Sequence, residues 1–362
     1  MIFKDRRDLW EYLGTQKEKS IVMYGMGNGA DKILAVCERY GIEVSDFFAS
    51  DGFVRGHSFH GKTVLSYSET KKKYGAENMI VLLSFASSLP SVLDTIYKVA
   101  DECELYAPDV PVCGDTLFTK AFYEENKEKI EKARSLFADE HSREIFDKVI
   151  SYKLSGDIGF LRAAEDSKDE VYRSILSAEN IKTAIDAGAY NGDTARELMS
   201  YSPCLEKIYA LEPDRRNFRK LSQYAEEQTK HQVIAIQAAA WCESATLMYD
   251  ASGNRNAGLN TNAKKTTEVT AITVDSLTTE TVDYIKYDVE GAEKEALLGS
   301  VQTIKTHQPA LLVSAYHRSE DIFELVLLLH SLEPSYALYL RRYPYVPAWD
   351  LNLLAVKKET SK

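Results

Sequence analysis

No stretch of this 362-residue chain approaches the roughly 18 consecutive apolar residues of a membrane span. Its first residues, MIFKDRRDLWEYL, carry charges where a secretory leader needs an apolar core. A basic excess is missing too: 44 Lys and Arg stand against 55 Asp and Glu, a formal net charge of −11. Phosphate neutralisation needs a basic footprint, so nucleic acid is not an expected partner. Lysine-rich pieces such as Lys71–Lys73 and Lys127–Lys132 sit beside acids and read as solvated helix faces. Cysteine is scarce and scattered. Cys37, Cys103, Cys113, Cys204 and Cys242 form no CxxC pair, which speaks against both a zinc site and a disulfide framework. Together these absences predict a cytoplasmic protein with reduced thiols.

What is present is an α/β chain in three parts. Residues 1–112 alternate strand and helix: Ser20–Tyr24, a glycine turn and a helix to Tyr40, then Glu43–Ser50, Met79–Ser84, a helix over Leu89–Ala100, and Glu104–Ala107. Strands separated by helices imply a parallel, doubly wound sheet, here a small Rossmann-like domain. Residues 113–177 lose glycine and β-branched residues. Ile145, Phe146, Val149, Ile150 and Leu154 recur at helical spacing, so a helical linker or cap is expected. Residues 178–362 form a second α/β unit, with strands expected at Lys182–Asp186, Lys207–Glu212, Gln232–Gln237, Thr267–Thr273, Val282–Asp288, Ala310–Tyr316, Ser335–Arg341 and Leu351–Lys357. Only RYPYVPAWD separates the last two, a spacing that suits an antiparallel pair closing a mostly parallel sheet. The polar stretch Ala251–Lys265 reads as a surface loop.

The stretch TAIDAGAYNGDT places Asp186-x-Gly188-x-x-x-Gly192 between a strand and a helix. Glycine there lets backbone N–H groups approach a ligand, and the helix start offers a partial positive charge. A dinucleotide fingerprint wants a second glycine two positions after the first. Here Tyr190 stands in that place, followed by Asn191. KIYALEPD then puts Glu212 at the end of the next strand, where an acid can bind ribose hydroxyls. A ribose-bearing ligand without a diphosphate fits this pattern, and S-adenosylmethionine is one. The plainer reading is a surface turn in which Asp186 caps a helix.

The stretch IKYDVEGAEKEALLGS resembles the FkbM-type methyltransferase family through Ile285, Lys286, Asp288, Val289, Glu290, Gly291, Ala292 and Glu293. The glycine turn (Asp186, Gly188, Ala189, Gly192, Asp193, Thr194), the pair Glu212-Pro213 with Asn217 in the next helix, and Tyr316-His317-Arg318 are similar to the family as well. The resemblance implies a class I methyltransferase fold with a seven-stranded sheet. It also implies S-adenosylmethionine as methyl donor and a hydroxyl of a glycan, nucleotide sugar or secondary metabolite as acceptor. Asp186, Gly188, Tyr190, Asn191, Gly192, Glu212, Asn217, Ala239 and Asp288 are then expected at the cofactor, with adenine near Ala238–Trp241.

For the chemistry, His317 is expected as the base that takes the acceptor proton, with Asp288 or Glu290 orienting acceptor or methionine amine. Asp288, Glu290 and His317 would also suit a mixed cation site, although no metal is expected. Glu290 and Glu293 also favour a helix N-terminus electrostatically without any catalytic role.

Two motifs stand outside that scheme. Gly25-x-Gly27-x-x-Ala30 lies closer to the dinucleotide pattern, with Asp51 after the next strand. It leaves open a nucleotide-binding module, a substrate-presenting module or a homodimer contact. An NAD(P)-dependent enzyme using this half would need a Tyr-x-x-x-Lys pair, and Tyr97-Lys98 lacks that spacing. Arg341, Arg342, Tyr343, Tyr345 and Trp349 gather near the last hairpin, suited either to a sugar phosphate or to an aromatic minicore.

Overall fold

Two largely parallel sheets meet at a shared crevice. The computed structural model describes residues 7–53, 56–250 and 266–358, so the expected loop at Ala251–Lys265 lies outside the described residues. The first sheet has five strands in the order Leu65–Ser66, Asp46–Ala49, Ser20–Tyr24, Met79–Leu83 and Glu104–Tyr106. All pair in parallel. Met79–Leu83 is buried along its whole length, as an unbroken apolar run covered on both faces should be. Two helices escape the sequence pattern. Leu9–Thr15 starts because Asp8 accepts from the N–H groups of Trp10 and Glu11. Tyr67–Tyr74 starts on a capping box between Ser66 and Glu69.

The second sheet has seven strands, in the order Gln232–Ile236, Lys207–Leu211, Thr183–Ala187, Tyr284–Tyr287, Ala310–Ser314, Leu351–Lys357 and Tyr336–Arg342. Only Leu351–Lys357 runs against its neighbours. The expected strand near Thr267 exists as Thr266–Ile272, but it pairs with Ala239–Ala240 and Ala245–Asp250 in a separate three-stranded sheet. Among the described residues, no helix is long and apolar enough to cross a membrane.

Between the sheets run Lys120–Glu125, Lys127–Ser135 and Glu140–Ser155. The stripe Ile145, Phe146, Val149, Ile150 and Leu154 is fully buried. It lies on the edge strand Tyr336–Arg342, where Leu340 donates its N–H to Ser142 Oγ at 3.0 Å. One continuous apolar core runs from Val22 and Phe48 of the first sheet to Ile185 and Tyr287 of the second.

The loops after the strands join the halves. Ser87 and Val346 exchange both backbone hydrogen bonds, at 2.9 and 3.0 Å. Cys113 donates its N–H to the His317 carbonyl at 2.9 Å, and Ser319 Oγ donates to the Thr116 carbonyl at 2.6 Å. The carboxyl edges of the two sheets therefore meet, and ligands of open α/β sheets bind at that edge.

Candidate active site

A cavity of about 940 Å³ opens at the carboxyl edge of the seven-stranded sheet. Its floor is set by the turn after Thr183–Ala187. Gly188 sits at φ +92°, and a Cβ there would lie 1.9 Å from the Asp288 carbonyl oxygen. Only glycine lets these neighbouring turns pass so closely. Tyr190 also adopts the left-handed region, at φ +47°, which presents its N–H to Glu212 Oε2 at 2.9 Å. Asp214 donates its N–H to Glu212 Oε1 at 2.8 Å, and its own side chain caps the helix Arg215–Glu227. Glu212 is thus a fixed carboxylate, 5% exposed, on the cavity wall. Burial pushes its pKa up to about 7 against the two N–H groups, which hold the ionised form.

The opposite wall comes from the DVEGAE turn. Asp288 and Glu290 line the cavity. Glu290 is held at φ +53° and Gly291 at φ +88°, two left-handed residues in succession. Strain of this kind persists only where the surroundings fix it. Glu293 does so from below: it is 1% exposed, and its Oε1 accepts from Val289 N–H at 2.9 Å and Gly291 N–H at 3.4 Å.

Charges alternate across the floor. Lys286, paired in register with Asp186, places Nζ 3.9 Å from Asp186 and 3.2 Å from Asp288. His317 lies 3.6 Å from both Asp288 and Glu290 through Nε2, and 2.9 Å from Glu293 through Nδ1. Burial alone would lower the His317 pKa, but Glu293, Glu290 and Asp288 outweigh it and push it up to about 10. Burial likewise opposes Asp288, yet Lys286 and His317 hold it down to about 2. For Glu290 burial dominates, and its pKa rises to about 7 despite His317.

Ligand atoms of Asp288, Glu293 and His317 lie within 4.8 Å of one another. The arrangement is that of an imidazolium already neutralised by carboxylates, and a cation would have to displace its proton.

The cavity gathers Gly188, Tyr190, Glu212, Asn217, Ala239, Asp288 and Glu290. Asp186, Asn191, Gly192 and His317 stand outside its lining. Asp186 lies beneath the floor, 5% exposed, where Thr194 Oγ1 donates to its Oδ2. Asn191 faces a shallow outer depression beside Arg196 and Tyr224, because the left-handed Tyr190 turns the chain at that point. A Cβ at Gly192 would strike the Tyr224 ring at 2.4 Å, so that glycine serves helix packing. His317 is fully buried behind the carboxylates, which corrects its placement as a group facing the acceptor.

Arg341 and Arg342 are also turned away. Arg341 Nη2 pairs with Asp139 at 2.6 Å, and Arg342 donates to the carbonyls of Leu161 and Tyr345. They leave the cavity to Tyr343, Tyr345 and Trp349. Sequence reasoning missed Lys168, Tyr172, Asp350 and Asn352 on the far wall, and Ser88 and Val112, which the first half contributes. Of these, Asp350 alone carries a conformational mark, φ +59°.

Residues 186–342 match the family model of the methyltransferase FkbM domain. The chain also resembles the crystal structure of a methyltransferase FkbM from Methylobacillus flagellatus, at 20% identity and a TM-score of 0.70. That likeness covers 94% of this chain and 90% of the other, so both sheets share its fold. Two shorter structures superpose only loosely. An rRNA methylase from Streptococcus thermophilus is 14% identical, with a TM-score of 0.35 over 51% of this chain and 93% of that one. A putative methyltransferase from Streptococcus mutans, in complex with SAH, is 13% identical, with a TM-score of 0.33 over 53% and 99%. No curated protein matches the chain.

Proposed function

Because the chain carries an FkbM methyltransferase domain, we propose that it transfers a methyl group from S-adenosylmethionine to a hydroxyl oxygen of a small molecule or glycan. The observation that carries this reading is Glu212. It is a buried carboxylate at the end of the second strand, anchored by two N–H groups and turned to the cavity, as a ribose diol requires. Tyr190 in place of the diphosphate-hugging glycine favours a nucleoside without phosphates. The residues fit such a group: Gly188 and Ala238–Ala240 give it close backbone, and Asn217 lines the same cavity as Glu212.

The donor would supply a methyl on a sulfonium, which leaves with the C–S electron pair on sulfur. The chain's own work is positional and electrostatic. Holding the acceptor oxygen in line lowers the barrier by several kcal/mol, up to roughly 7–11 in favourable systems. Glu290 takes the acceptor proton: it lines the cavity, and a base titrating near the working pH is effective. His317, cationic and walled off, acts through Glu290 and Asp288 as a positioning residue. Lys286 keeps Asp288 ionised to orient the reactants.

Calorimetry with S-adenosylhomocysteine tests the cofactor. Binding by the wild type, and its loss in Glu212→Ala, is the expected result; silence from the folded wild type would refute the reading. The acceptor is found by incubating the protein with labelled donor and extracts of glycans, nucleotide sugars and small metabolites, then identifying the labelled product by mass.

Glu212→Gln should separate binding from stability. Because the folded pKa is raised, the native state favours the protonated acid, and that stabilisation is lost as pH rises from about 4.5 through 7. At pH 8.5 the glutamine relieves roughly 3 kcal/mol of buried charge, less about 1 for the N–H that loses its acceptor. Urea unfolding of the unliganded variant should therefore show a gain of about 2 kcal/mol at pH 8.5 and little at pH 5. S-adenosylhomocysteine affinity should fall at the same time. A variant less stable at both pH values contradicts the assignment.

A further inference from the structure

The glycine turn near the N-terminus borders a second cavity, of about 310 Å³, at the carboxyl edge of the five-stranded sheet. Its wall is mostly apolar, built from Met26, Ile33, Leu83, Phe85, Val110 and Trp349, with Asn28 and Ser84 beside them. Among the described residues Lys32 is the one ionisable side chain on it, and its Nζ already donates to the carbonyls of Pro111 at 3.1 Å and Val112 at 2.8 Å. The acid that a dinucleotide would need for its ribose, Asp51, stands off the cleft lining and pairs with Ser68, accepting from its N–H at 2.9 Å and its Oγ at 2.6 Å. Two of the three glycines here serve packing: a Cβ on Gly25 would sit 2.7 Å from the Phe85 ring and one on Gly29 2.2 Å from the Ser84 carbonyl oxygen, whereas Gly27, at φ +98°, meets nothing within 4 Å.

The cleft does not stand alone. Val112 and Trp349 line both it and the large cavity. Trp349 stacks on Tyr316, ring centroids 6.2 Å apart, and Tyr316 donates its hydroxyl to Asp288 at 3.3 Å. A volume of 310 Å³ is at the lower limit for a small-molecule site, enough for part of a ligand.

We propose that this cleft holds the non-reacting, apolar portion of the methyl acceptor. The acceptor then passes Trp349 and Val112 to bring its hydroxyl to the Asp288–Glu290 wall, and the N-terminal half of the chain selects it. This rests on the methyl-transfer reading. Apolar burial there lowers the acceptor's dissociation constant without touching the donor site.

A series of alkyl β-D-glucosides from methyl to hexyl serves as probe, each titrated calorimetrically into the full chain with and without S-adenosylhomocysteine. The dissociation constant should fall about three- to fourfold per methylene as the cleft fills. Met26→Glu and Val110→Glu, both at partly exposed positions, should flatten that dependence while melting temperature and S-adenosylhomocysteine binding stay as in the wild type. Chain-length dependence that survives both substitutions overturns the proposal, as does failure of every glucoside to bind. If S-adenosylhomocysteine binds normally in those cases, only the cleft assignment falls. If it does not bind the wild type at all, the methyl-transfer reading fails separately.

Discussion

Glu290→Gln is expected to cut methyl transfer by roughly 10²–10⁴, the usual worth of a positioned general base. S-adenosylhomocysteine should bind as before, because Glu212 and its wall lie on the other side of the cavity. The pH profile carries the sharper information. In the wild type, Glu290 is protonated below about 7 and competent above it, so turnover should climb as pH rises through 7 and then level off. In the glutamine variant that rise disappears at saturating donor, a condition that removes the contribution of Glu212, whose pKa is also pushed up to about 7. His317 offers a contrasting outcome. With its pKa pushed up to about 10, it holds its proton throughout the neutral range and cannot accept another. Were it nevertheless the base, Glu290→Gln would keep the wild-type profile. As a positioning cation, His317 draws the Glu290 pKa down, so His317→Gln should move the rise to higher pH and leave its shape intact. Turnover of each variant is measured over about pH 5–9, roughly two logarithms either side of the midpoint, with folding checked by urea unfolding.

The strands were legible because their patterns are local. Met79–Leu83 reads as covered on both faces because nothing polar interrupts it. Asp288, Glu290 and Glu212 could be placed at the cavity because a strand's carboxyl edge is where its apolar run stops. The failures all involve contacts between distant segments. Arg341 looked free to bind phosphate because its partner, Asp139, lies in another segment, brought there as the helix Glu140–Ser155 crosses the edge strand. His317 looked accessible because its burial depends on Glu293 and on the loop through Cys113. Asp51 matched a ribose-binding acid, but the cleft does not reach it, and it pairs with Ser68 instead. Ser88 and Val112 had no local signal at all: they reach the cavity only because the two sheets meet edge to edge.

Lys286→Met should be the most destabilising single change at the site. The ammonium is 8% exposed on a central strand, between Asp186 and Asp288. Burial disfavours its charge, but the two carboxylates outweigh that and hold it ionised far above neutral pH. Removing one partner of a buried ion pair typically costs about 3–5 kcal/mol, because the remaining charge has no compensation. Asp186 is the group left behind. Thr194 reaches only its Oδ2, and its Oδ1 has no hydrogen-bond partner. The sign with pH follows from that. Burial already raises the Asp186 pKa, and loss of Lys286 raises it further, so the variant gains relative stability as Asp186 protonates. The deficit in urea midpoint should therefore be largest at pH 8 and shrink towards pH 5. Asp186→Asn added to Lys286→Met should recover part of the loss, with a coupling of about 0.5–3 kcal/mol, since the two side chains share one charge balance. A deficit that is constant with pH, and unchanged in the double variant, would mean that Lys286 contributes only packing. Asp288 would then lack the counter-charge that keeps it ionised on the cavity wall, and its role in orienting the reactants would fall with it.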